Sequence, residues 1–395
     1  MEFESAAIPL GLAWSSPFVR WQGALAEVSS LDLAVDVTGR ALADRGLRPD
    51  EFDRLVLGWT VPQPGIFYGA PTVAARLGAE GLSGPMLSQA CATSAVCVES
   101  AAALAEQEGG LNLVVAADRV SNGPVLSYPR PSAPGGAPAV ENWVLDNFAC
   151  DPWAGEAMVA TAEAVAREAD LSKEELDEVT LLRYEQYGSA LADGRAFQRR
   201  WMVPVSVPVG RRETRLVEED EGVHQTSREA LAGLRPVQPE GVVSYGTQTH
   251  PADGCAGCVV TSAARARELA DGNGVARILG TGLARVEKAR MPRAPVPAAE
   301  RALGSAGLGI GDVDLVTTHN PFAVNDLWFT RQTGYPLDRM NGYGCSLVYG
   351  HPQAPTGLRL LVELLEALRE RGGGVGLFTG CAAGDTGAAV VVRVE

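Results

Sequence analysis

Two segments of this chain resemble each other, and this internal repeat restricts the possible folds more than any other feature. They begin at positions 40 and 301, 261 residues apart, and read RALADRGLRPDEFDRLV and RALGSAGLGIGDVDLV. Each has the pattern of a helix followed by an apolar strand, and each precedes an Ala/Leu-rich helical stretch and a further strand, at 111–116 and 374–378. The similarity of the two segments either is due to chance or indicates a duplicated α/β unit with layered helices and sheets.

Composition and charge narrow the class of protein. With 395 residues and 46% hydrophobic residues, the chain can form a sizeable core and two or three structural units. The formal net charge of −15 disfavours nucleic acid and anionic membranes as partners. No apolar run approaches the roughly twenty residues of a membrane span, and the start lacks an export signal. Seven scattered cysteines favour a reduced, cytoplasmic protein.

A different kind of sequence separates the two repeats. Residues 129–138 are rich in Pro and Gly and predict a surface excursion rather than a regular helix or central strand. Apolar residues at helical spacing follow at 158–169, and Ser172 with Glu175 forms a capping-box pattern. The basic cluster at 210–215 is either a solvated loop or a phosphate-binding patch.

The cysteines differ in their sequence settings. Cys91 lies where a short segment turns into a small-residue helical stretch, so helix-start amides would favour its thiolate as a nucleophile. The alternative is a small buried hydrophobic residue. Cys255 and Cys258 lack a second pair or histidines at zinc spacing and run into an apolar stretch, which favours a strand core over a redox or metal site. The sequence therefore predicts no metal site.

Three further stretches are candidates for partners of Cys91. They are residues 318–325, which contain His319 after a predicted strand at 313–316, the glycine-punctuated turn at 341–357, which contains His351, and the small-residue loop at 379–387, which contains Cys381. A lone buried histidine or cysteine is more often structural than catalytic. The order and combination of all four stretches is much more specific than any one.

These stretches resemble the thiolases. The likeness includes a nucleophile loop with Cys-x-Thr, a Gly-His-Pro turn before a helix and a C-terminal cysteine in a glycine-rich loop. It extends to 114–124, 158–163, 234–236 and 253–254, and so covers essentially the whole chain.

The resemblance implies two βαβαβαββ halves in a five-layered α/β structure with an inserted loop domain. The N-terminal half would be residues 1–122 plus 241–268, the loop domain 123–240 and the C-terminal half 269–395. The chain would return from the loop domain to the first half through a strand near 242–245.

The resemblance also implies roles for the motif residues. Cys91 would carry an acyl group, His351 would accept its proton, and Cys381 would be the second acid/base. His319 and His351 would stabilise one oxyanion, and the backbone N–H groups of Cys91 and Ala383 the other. Coenzyme A or an acyl-CoA would be the cosubstrate, with no tightly bound cofactor; its contacts would be Arg211, Arg212, Thr249 and Met158.

Two motifs depart from the common family pattern. The segment His319-Asn-Pro-Phe322 replaces Asn-Glu-x-Phe and is closest to the sterol-carrier-protein-2-type thiolases. In this chain Pro321 occupies the position at which that subgroup has an extra cysteine. Cys381 therefore remains the candidate for the second acid/base. Ala157 stands where several short-chain biosynthetic members have a histidine, so substrate preference can differ.

The expected activity is acyl-CoA C-acyltransfer, which makes or cleaves the carbon–carbon bond of a 3-ketoacyl-CoA by Claisen condensation or thiolysis. One alternative is a condensing enzyme of secondary metabolism that acts on an unusual acyl group, with a partner protein. Another is a non-catalytic scaffold or lipid-binding subunit. The family analogy further implies a homodimer or homotetramer.

Overall fold

A computed structural model describes residues 1–210 and 213–395. Fifteen strands occur in these residues. They are β1 (Ala6–Pro9), β2 (Ala13–Ser15), β3 (Val19–Arg20), β4 (Arg54–Gly58), β5 (Met86–Leu87), β6 (Asn112–Arg119), β7 (Val125–Tyr128), β8 (Ala139–Asn142), β9 (Val205–Val209), β10 (Glu213–Val217), β11 (Ala252–Ser262), β12 (Val275–Arg285), β13 (Leu315–His319), β14 (Gly374–Ala382) and β15 (Thr386–Val394).

Twelve α-helices accompany them in the described ranges. They are α1 (Ser30–Asp44), α2 (Gly69–Arg76), α3 (Thr93–Glu108), α4 (Leu145–Ala149), α5 (Met158–Glu168), α6 (Lys173–Arg195), α7 (Arg228–Ala232), α8 (Ala263–Leu269), α9 (Pro295–Ser305), α10 (Ala323–Thr333), α11 (Ser346–Tyr349) and α12 (Thr356–Glu370). None is long and apolar enough to cross a membrane.

The sheet topology confirms the duplication. Along the hydrogen-bonded path β13-β14-β15-β12-β1-β11-β6-β4-β5, strands β4 and β6 are parallel and β6 and β11 antiparallel. In the other half β13 and β14 are parallel and β14 and β15 antiparallel. Strands β4 and β13 begin and end 261 residues apart, which is the offset of the sequence repeat. The two halves therefore have the same strand order, joined by the short β1.

Two equivalent helices pack against each other between the halves. Helix α3 follows β5 in the first half, and α12 precedes β14 in the second. At their contact a Cβ on Gly357 would lie 2.9 Å from Phe378 and 3.0 Å from Ser94, so a glycine permits the close approach. The Ser94 hydroxyl also donates to the Ala354 carbonyl just before α12. The start of each helix is thereby held beside the other.

The region between β6 and β11 contains two small hairpins and helices α4 to α7. The Pro/Gly-rich excursion joins β7 to β8 and is largely exposed, as predicted. The predicted helix at 158–169 is α5, and the Ser172–Glu175 capping box begins α6. The boundaries 123–240 of the loop domain stay a prediction.

The prediction of a strand at 242–245 is wrong. The backbone N–H groups of Val242 and Val243 donate to the Glu163 carboxylate at 2.8 to 3.0 Å, so they are not available to a neighbouring strand. Ser244 and Thr247 then close a turn. The returning strand is β11, and it contains Cys255 and Cys258 as buried residues, which confirms the strand-core interpretation.

Candidate active site

Cys91 lies in a sharp turn between β5 and α3. The preceding residue, Ala90, has a φ of +44°, a left-handed conformation that is strained for a residue with a Cβ. The Thr93 hydroxyl accepts from the Gln89 N–H at 2.8 Å and donates to the Ala90 carbonyl, which fixes the turn. As a result, the thiol faces a cavity in front of the helix start.

His351 reaches Cys91 from the C-terminal half. Its Nε2 lies 3.0 Å from the Cys91 Sγ, and its Nδ1 lies 2.7 Å from the Thr356 hydroxyl at the start of α12. Gly350, with a φ of +92°, provides the turn that aims the ring. The structure thus brings together the predicted nucleophile and the predicted base, which are 260 residues apart in the sequence.

Burial makes this pair neutral at rest. Burial raises the pKa of the Cys91 thiol to about 12, although the N–H groups of Ala383 and Cys91 itself donate toward the sulfur and oppose the shift. Burial also holds the pKa of His351 well below its usual value. The helix-start amides favour the thiolate, as the sequence predicts, but desolvation of the sulfur exceeds their effect. The role of the Cys91 and Ala383 N–H groups as oxyanion donors stays a prediction.

Cys381 lies near the end of β14, close enough to Cys91 that the two thiolates would repel each other. The residue is 1% exposed, and burial raises the pKa of its thiol. The Asn325 side chain donates to its Sγ at 3.2 Å from the first turn of α10. Sequence reasoning missed Asn325, which ends the 318–325 segment and received no role from the sequence.

His319 stacks on His351 from behind. The ring centroids are 4.0 Å apart, and the His319 Nδ1 lies 2.9 Å from the Ser346 hydroxyl. His319 is fully buried, and burial lowers its pKa to about 3. Its Nε2 has no hydrogen-bond partner among the described residues. His319 is therefore a neutral imidazole beside the Cys91–His351 pair.

A buried hydrogen-bond network sets the orientation of His319. Asp326 accepts from the Asn320 side-chain N–H at 2.7 Å, so the Asn320 oxygen must accept. The Ser346 hydroxyl donates to that oxygen at 3.2 Å and consequently accepts from the His319 Nδ1–H. Arg183 of α6 completes the network with a buried ion pair to Asp326 at 2.9 Å. This arrangement leaves a lone pair on the His319 Nε2.

A cavity of about 920 Å³ opens in front of Cys91 and His351. Met158 and Thr249, two predicted coenzyme A contacts, line it; the Thr249 hydroxyl donates to the Ser346 carbonyl at 2.5 Å. The apolar part of the wall is formed by Trp143, Leu145, Phe148, Val159, Val237, Met291 and Phe322. The predicted phosphate contacts Arg211 and Arg212 lie outside the described residues.

Asp118 is a second residue that sequence reasoning missed. It is fully buried at the end of β6, and its carboxylate accepts from the backbone N–H groups of Thr60, Val61 and Ala354 at 2.8 to 3.1 Å. The Thr60 hydroxyl adds a bond at 2.7 Å. Asp118 therefore fixes the turn that carries His351. Its position in an apolar strand was the available signal, because a carboxylate there needs partners.

The fold and the site define a class of enzyme built from two equivalent α/β halves, with a cysteine of one half in contact with a histidine of the other. The family model for the thiolase N-terminal domain matches residues 12–264, and the model for the thiolase C-terminal domain matches residues 273–394. The chain belongs to the thiolase family, which confirms the resemblance and the predicted fold class. The finer likeness of the His319 motif to the sterol-carrier-protein-2 type stays a prediction.

Relatives and solved structures agree over nearly the full length. The chain is 32% identical over 384 residues to acetyl-CoA acetyltransferase of Escherichia coli (strain K12), covering 94% of this chain and 95% of that one. It is 28% identical to a probable acetyl-CoA acyltransferase of Staphylococcus aureus (strain COL), covering 98% of each chain. The Bacillus anthracis acetyl-CoA acetyltransferase structure matches with a TM-score of 0.91, 26% identity and full coverage of both chains. Human mitochondrial 3-ketoacyl-CoA thiolase in complex with CoA shares the fold, with a TM-score of 0.90, 24% identity and coverage of 100% of this chain and 99% of that one.

Proposed function

We propose that this protein is an acyl-CoA C-acyltransferase that makes or cleaves the carbon–carbon bond of a 3-ketoacyl-CoA through an acyl group on Cys91. The observation that carries the proposal is the 3.0 Å contact between the Cys91 thiol and the His351 Nε2 at the floor of a large apolar cavity. The related acetyl-CoA acetyltransferases support the same reaction class.

In the first half-reaction, His351 takes the thiol proton as Cys91 attacks the thioester carbon of an acyl-CoA. The carbonyl oxygen becomes an oxyanion, and the N–H groups of Cys91 and Ala383, which already converge on the sulfur, stabilise it. The C–S bond to coenzyme A breaks, and the departing thiolate takes the proton back from His351. Because the resting pair is neutral, charge develops during the attack, where these donors have most effect.

In the second half-reaction of synthesis, the Cys381 thiolate removes the α-proton of an incoming acyl-CoA. The carbanion attacks the acyl-Cys91 carbon and releases the Cys91 thiolate, which takes the α-proton from the Cys381 thiol, so that Cys381 is again a thiolate and Cys91 a thiol. The Asn325 side chain, 3.2 Å from the Cys381 sulfur, stabilises its thiolate. In thiolysis the same groups act in reverse: the Cys381 thiol protonates the leaving carbanion, and His351 accepts the thiol proton of free coenzyme A.

The coenzyme A arm is proposed to run along the cavity past Met158 and Thr249, both of which line it. The phosphates would then meet Arg211 and Arg212, an assignment that rests on the sequence. No tightly bound cofactor takes part in this scheme.

A second candidate function, condensation of an unusual bulky acyl group, is favoured by the cavity wall. Trp143 and Phe148 contribute aromatic rings, and the Trp143 indole N–H donates to the Thr60 carbonyl at 2.9 Å, which fixes that ring. Ala157 adds a small side chain where a larger one would reduce the volume. Branched or aromatic acyl-CoAs accepted more than tenfold better than acetyl-CoA would favour this second function.

The experiment that tests the main proposal is a CoA-dependent assay of 3-ketoacyl-CoA loss across chain lengths, run in both directions. We expect turnover by the wild-type protein with at least one chain length and none by Cys91→Ser. A folded wild-type protein that is inert toward every substrate would contradict the proposal and favour a non-catalytic scaffold.

Assembly and location complete the proposal. We expect a homodimer or homotetramer, supported by the exposed aromatic side chains of Phe67, 94% exposed, and Tyr68, 64% exposed. The seven free cysteines support a reducing, cytoplasmic location. Light scattering of the purified protein measures the oligomeric state. The location and the use of a partner protein are tested in the native cell, the latter by co-purification.

A further inference from the structure

We propose that the acyl group carried into this site bears a hydroxyl substituent, which the side-chain amide of Gln353 binds in the cavity wall. Gln353 lies two residues after His351 and lines the same cavity as Cys91. This inference rests on the proposed function, because it assumes that an acyl-CoA occupies the cavity. It adds the chemical class of the acyl group.

The Gln353 amide is a polar group in a largely apolar wall. The residue is 9% exposed, and its Oε1 lies 3.1 Å from the Thr60 hydroxyl, which is the one hydrogen-bond contact of the amide among the described residues. A primary amide offers two N–H donors and an acceptor oxygen. Burying such groups without partners costs free energy. The protein therefore leaves part of this hydrogen-bonding capacity to a molecule in the cavity.

A hydroxyl suits this amide in either of its two orientations. The Thr60 hydroxyl has a single hydrogen and two neighbours, Gln353 at 3.1 Å and the Asp118 carboxyl group at 2.7 Å. When Asp118 is protonated and donates to Thr60, the Thr60 hydrogen goes to the Gln353 oxygen, and the Gln353 N–H groups are left for the cavity. When Asp118 is ionised it takes the Thr60 hydrogen, and the amide turns by about 180° to donate an N–H to Thr60, which leaves its oxygen for the cavity. A hydroxyl accepts in the first state and donates in the second, whereas a carbonyl or an ether can only accept.

The backbone around Gln353 holds the amide in place before a ligand arrives. Gln353 has a φ of +62°, a left-handed conformation that is strained for a residue with a Cβ. The N–H of the next residue, Ala354, donates to Asp118 at 2.9 Å, and the Ala354 carbonyl accepts from the Ser94 hydroxyl. A group that is already fixed loses little conformational entropy on binding, so a single hydrogen bond gives measurable selectivity.

The charge of the cavity wall disfavours an acidic acyl group. Among the described residues that line the cavity, Glu141 is the only Asp, Glu, Lys or Arg. The Glu141 carboxylate accepts from the Tyr128 hydroxyl at 2.9 Å and from the Asn147 amide at 2.7 Å, which hold it in the wall. A carboxylate on the acyl chain would meet a like charge and no cation in this part of the chain, so the substituent is expected to be uncharged.

The test compares the binding of four acyl-CoAs to Cys91→Ser, in which no acyl group is transferred. They are hexanoyl-CoA, its 3-hydroxy and 6-hydroxy derivatives, and adipoyl-CoA, which ends in a carboxylate. By isothermal titration calorimetry, at least one hydroxylated form should bind roughly threefold to tenfold more tightly than hexanoyl-CoA, which is the effect of one hydrogen bond. Adipoyl-CoA should bind at least about threefold more weakly than hexanoyl-CoA.

Changes of the amide should remove this selectivity. In the Cys91→Ser background, Gln353→Met keeps the side-chain length without its hydrogen-bonding groups, so the hydroxylated and plain forms should bind within about twofold of each other. Gln353→Asn, which tolerates a positive φ better, withdraws the amide by one carbon and serves where the methionine variant fails to fold. Glu141→Gln should bring adipoyl-CoA to within about twofold of hexanoyl-CoA. The matched control is Gln107→Met, at an exposed position near the end of α3, and it should keep the selectivity.

Circular dichroism confirms that each variant is folded. Equal affinity for hexanoyl-CoA and both hydroxylated forms, a preference for adipoyl-CoA, or selectivity that persists in the folded Gln353 variants would overturn the proposal. Single-turnover acylation of the wild-type protein, followed by intact mass with the same acyl-CoAs, tells the two proposals apart. Selective binding without acylation would refute the proposed function alone, and acylation without selectivity would refute this inference alone.

Discussion

Individual residues in the site are governed by burial. Cys91 and His351 are both neutral because desolvation raises the pKa of one and lowers the pKa of the other. Burial also raises the pKa of the Cys381 thiol, and one side-chain donor, Asn325, favours its thiolate. The site therefore generates charge during reaction rather than storing it.

Asn325→Ala should separate the two half-reactions. Loss of the donor to Cys381 removes stabilisation of its thiolate, so carbon–carbon bond formation should fall by about 10- to 100-fold. Acylation of Cys91 should change by less than about threefold, because His351 serves that step. Steady-state condensation and single-turnover acylation measure the two rates; an equal loss in both would refute a specific role at Cys381.

Asp118→Asn should alter the pH dependence of stability. Burial raises the pKa of Asp118 to about 7 in the folded protein, above the ordinary value of 3.8. As pH rises, the folded protein therefore keeps the Asp118 proton after the unfolded chain has lost it. The contribution of this carboxyl group to the free energy of unfolding is full below about pH 4 and is lost as pH rises through about 7.

Urea unfolding between pH 5 and 7 measures this effect. The wild type should lose up to about 1.4 kcal/mol per pH unit relative to Asp118→Asn. Asp50→Asn, at a side chain that is 63% exposed, is the control and should follow the wild type. Identical slopes in Asp118→Asn and wild type would contradict the raised pKa.

At this scale the sequence predicted the placement of Cys91 and His351 through their motifs. The partners of Asp118 and Asn325 were not predictable, because they lie 236 and 56 residues away and depend on packing. The neutral state of Cys91 was also missed, since the depth of burial follows from the contact between the halves.

Among the elements, the contact between α3 and α12 positions the site. Gly357→Ala should destabilise the protein by about 1–3 kcal/mol, because the added methyl meets Phe378 and Ser94 at 2.9 and 3.0 Å. It should also slow acylation, since α12 carries the turn of His351. Gly304→Ala in α9, where a Cβ meets nothing within 4 Å, should be neutral or stabilising by up to about 1 kcal/mol.

Chemical denaturation of both glycine variants gives the free energies. Equal stability of Gly357→Ala and Gly304→Ala would show that the helices can separate without cost.

Most elements were predictable because helix spacing and capping are local, as in α5 and α6. The strand expected at 242–245 was not, because Glu163 takes its N–H groups from a distance of about 80 residues.

For the whole molecule, a buried ion pair ties the inserted region to the C-terminal half. Arg359 of α12 forms bonds of 2.6 and 2.8 Å with Asp220, and both side chains are fully buried. Glu363 and the Tyr349 ring, 3.6 Å from the guanidinium, complete its surroundings. This cluster holds the insertion against the helix that precedes β14.

Arg359→Met should cost about 3–5 kcal/mol, because it leaves buried carboxylates without their cation. The exposed pair of Arg76 and Asp32 is the control, and Arg76→Met should cost at most about 1 kcal/mol. Thermal and denaturant unfolding measure both. A similar small loss in the two variants would mean that the buried cluster does not hold the inserted region against α12.

The central claim is that Cys91 carries the acyl group and Cys381 acts afterwards. Intact-mass analysis after mixing with acyl-CoA tests it most directly, in wild type, Cys91→Ser and Cys381→Ser. We expect Cys381→Ser to accumulate one acyl group per chain, located on Cys91 by peptide mapping, without condensing it, and Cys91→Ser to acquire none. Acylation that persists in Cys91→Ser, or condensation that persists in Cys381→Ser, would contradict the account.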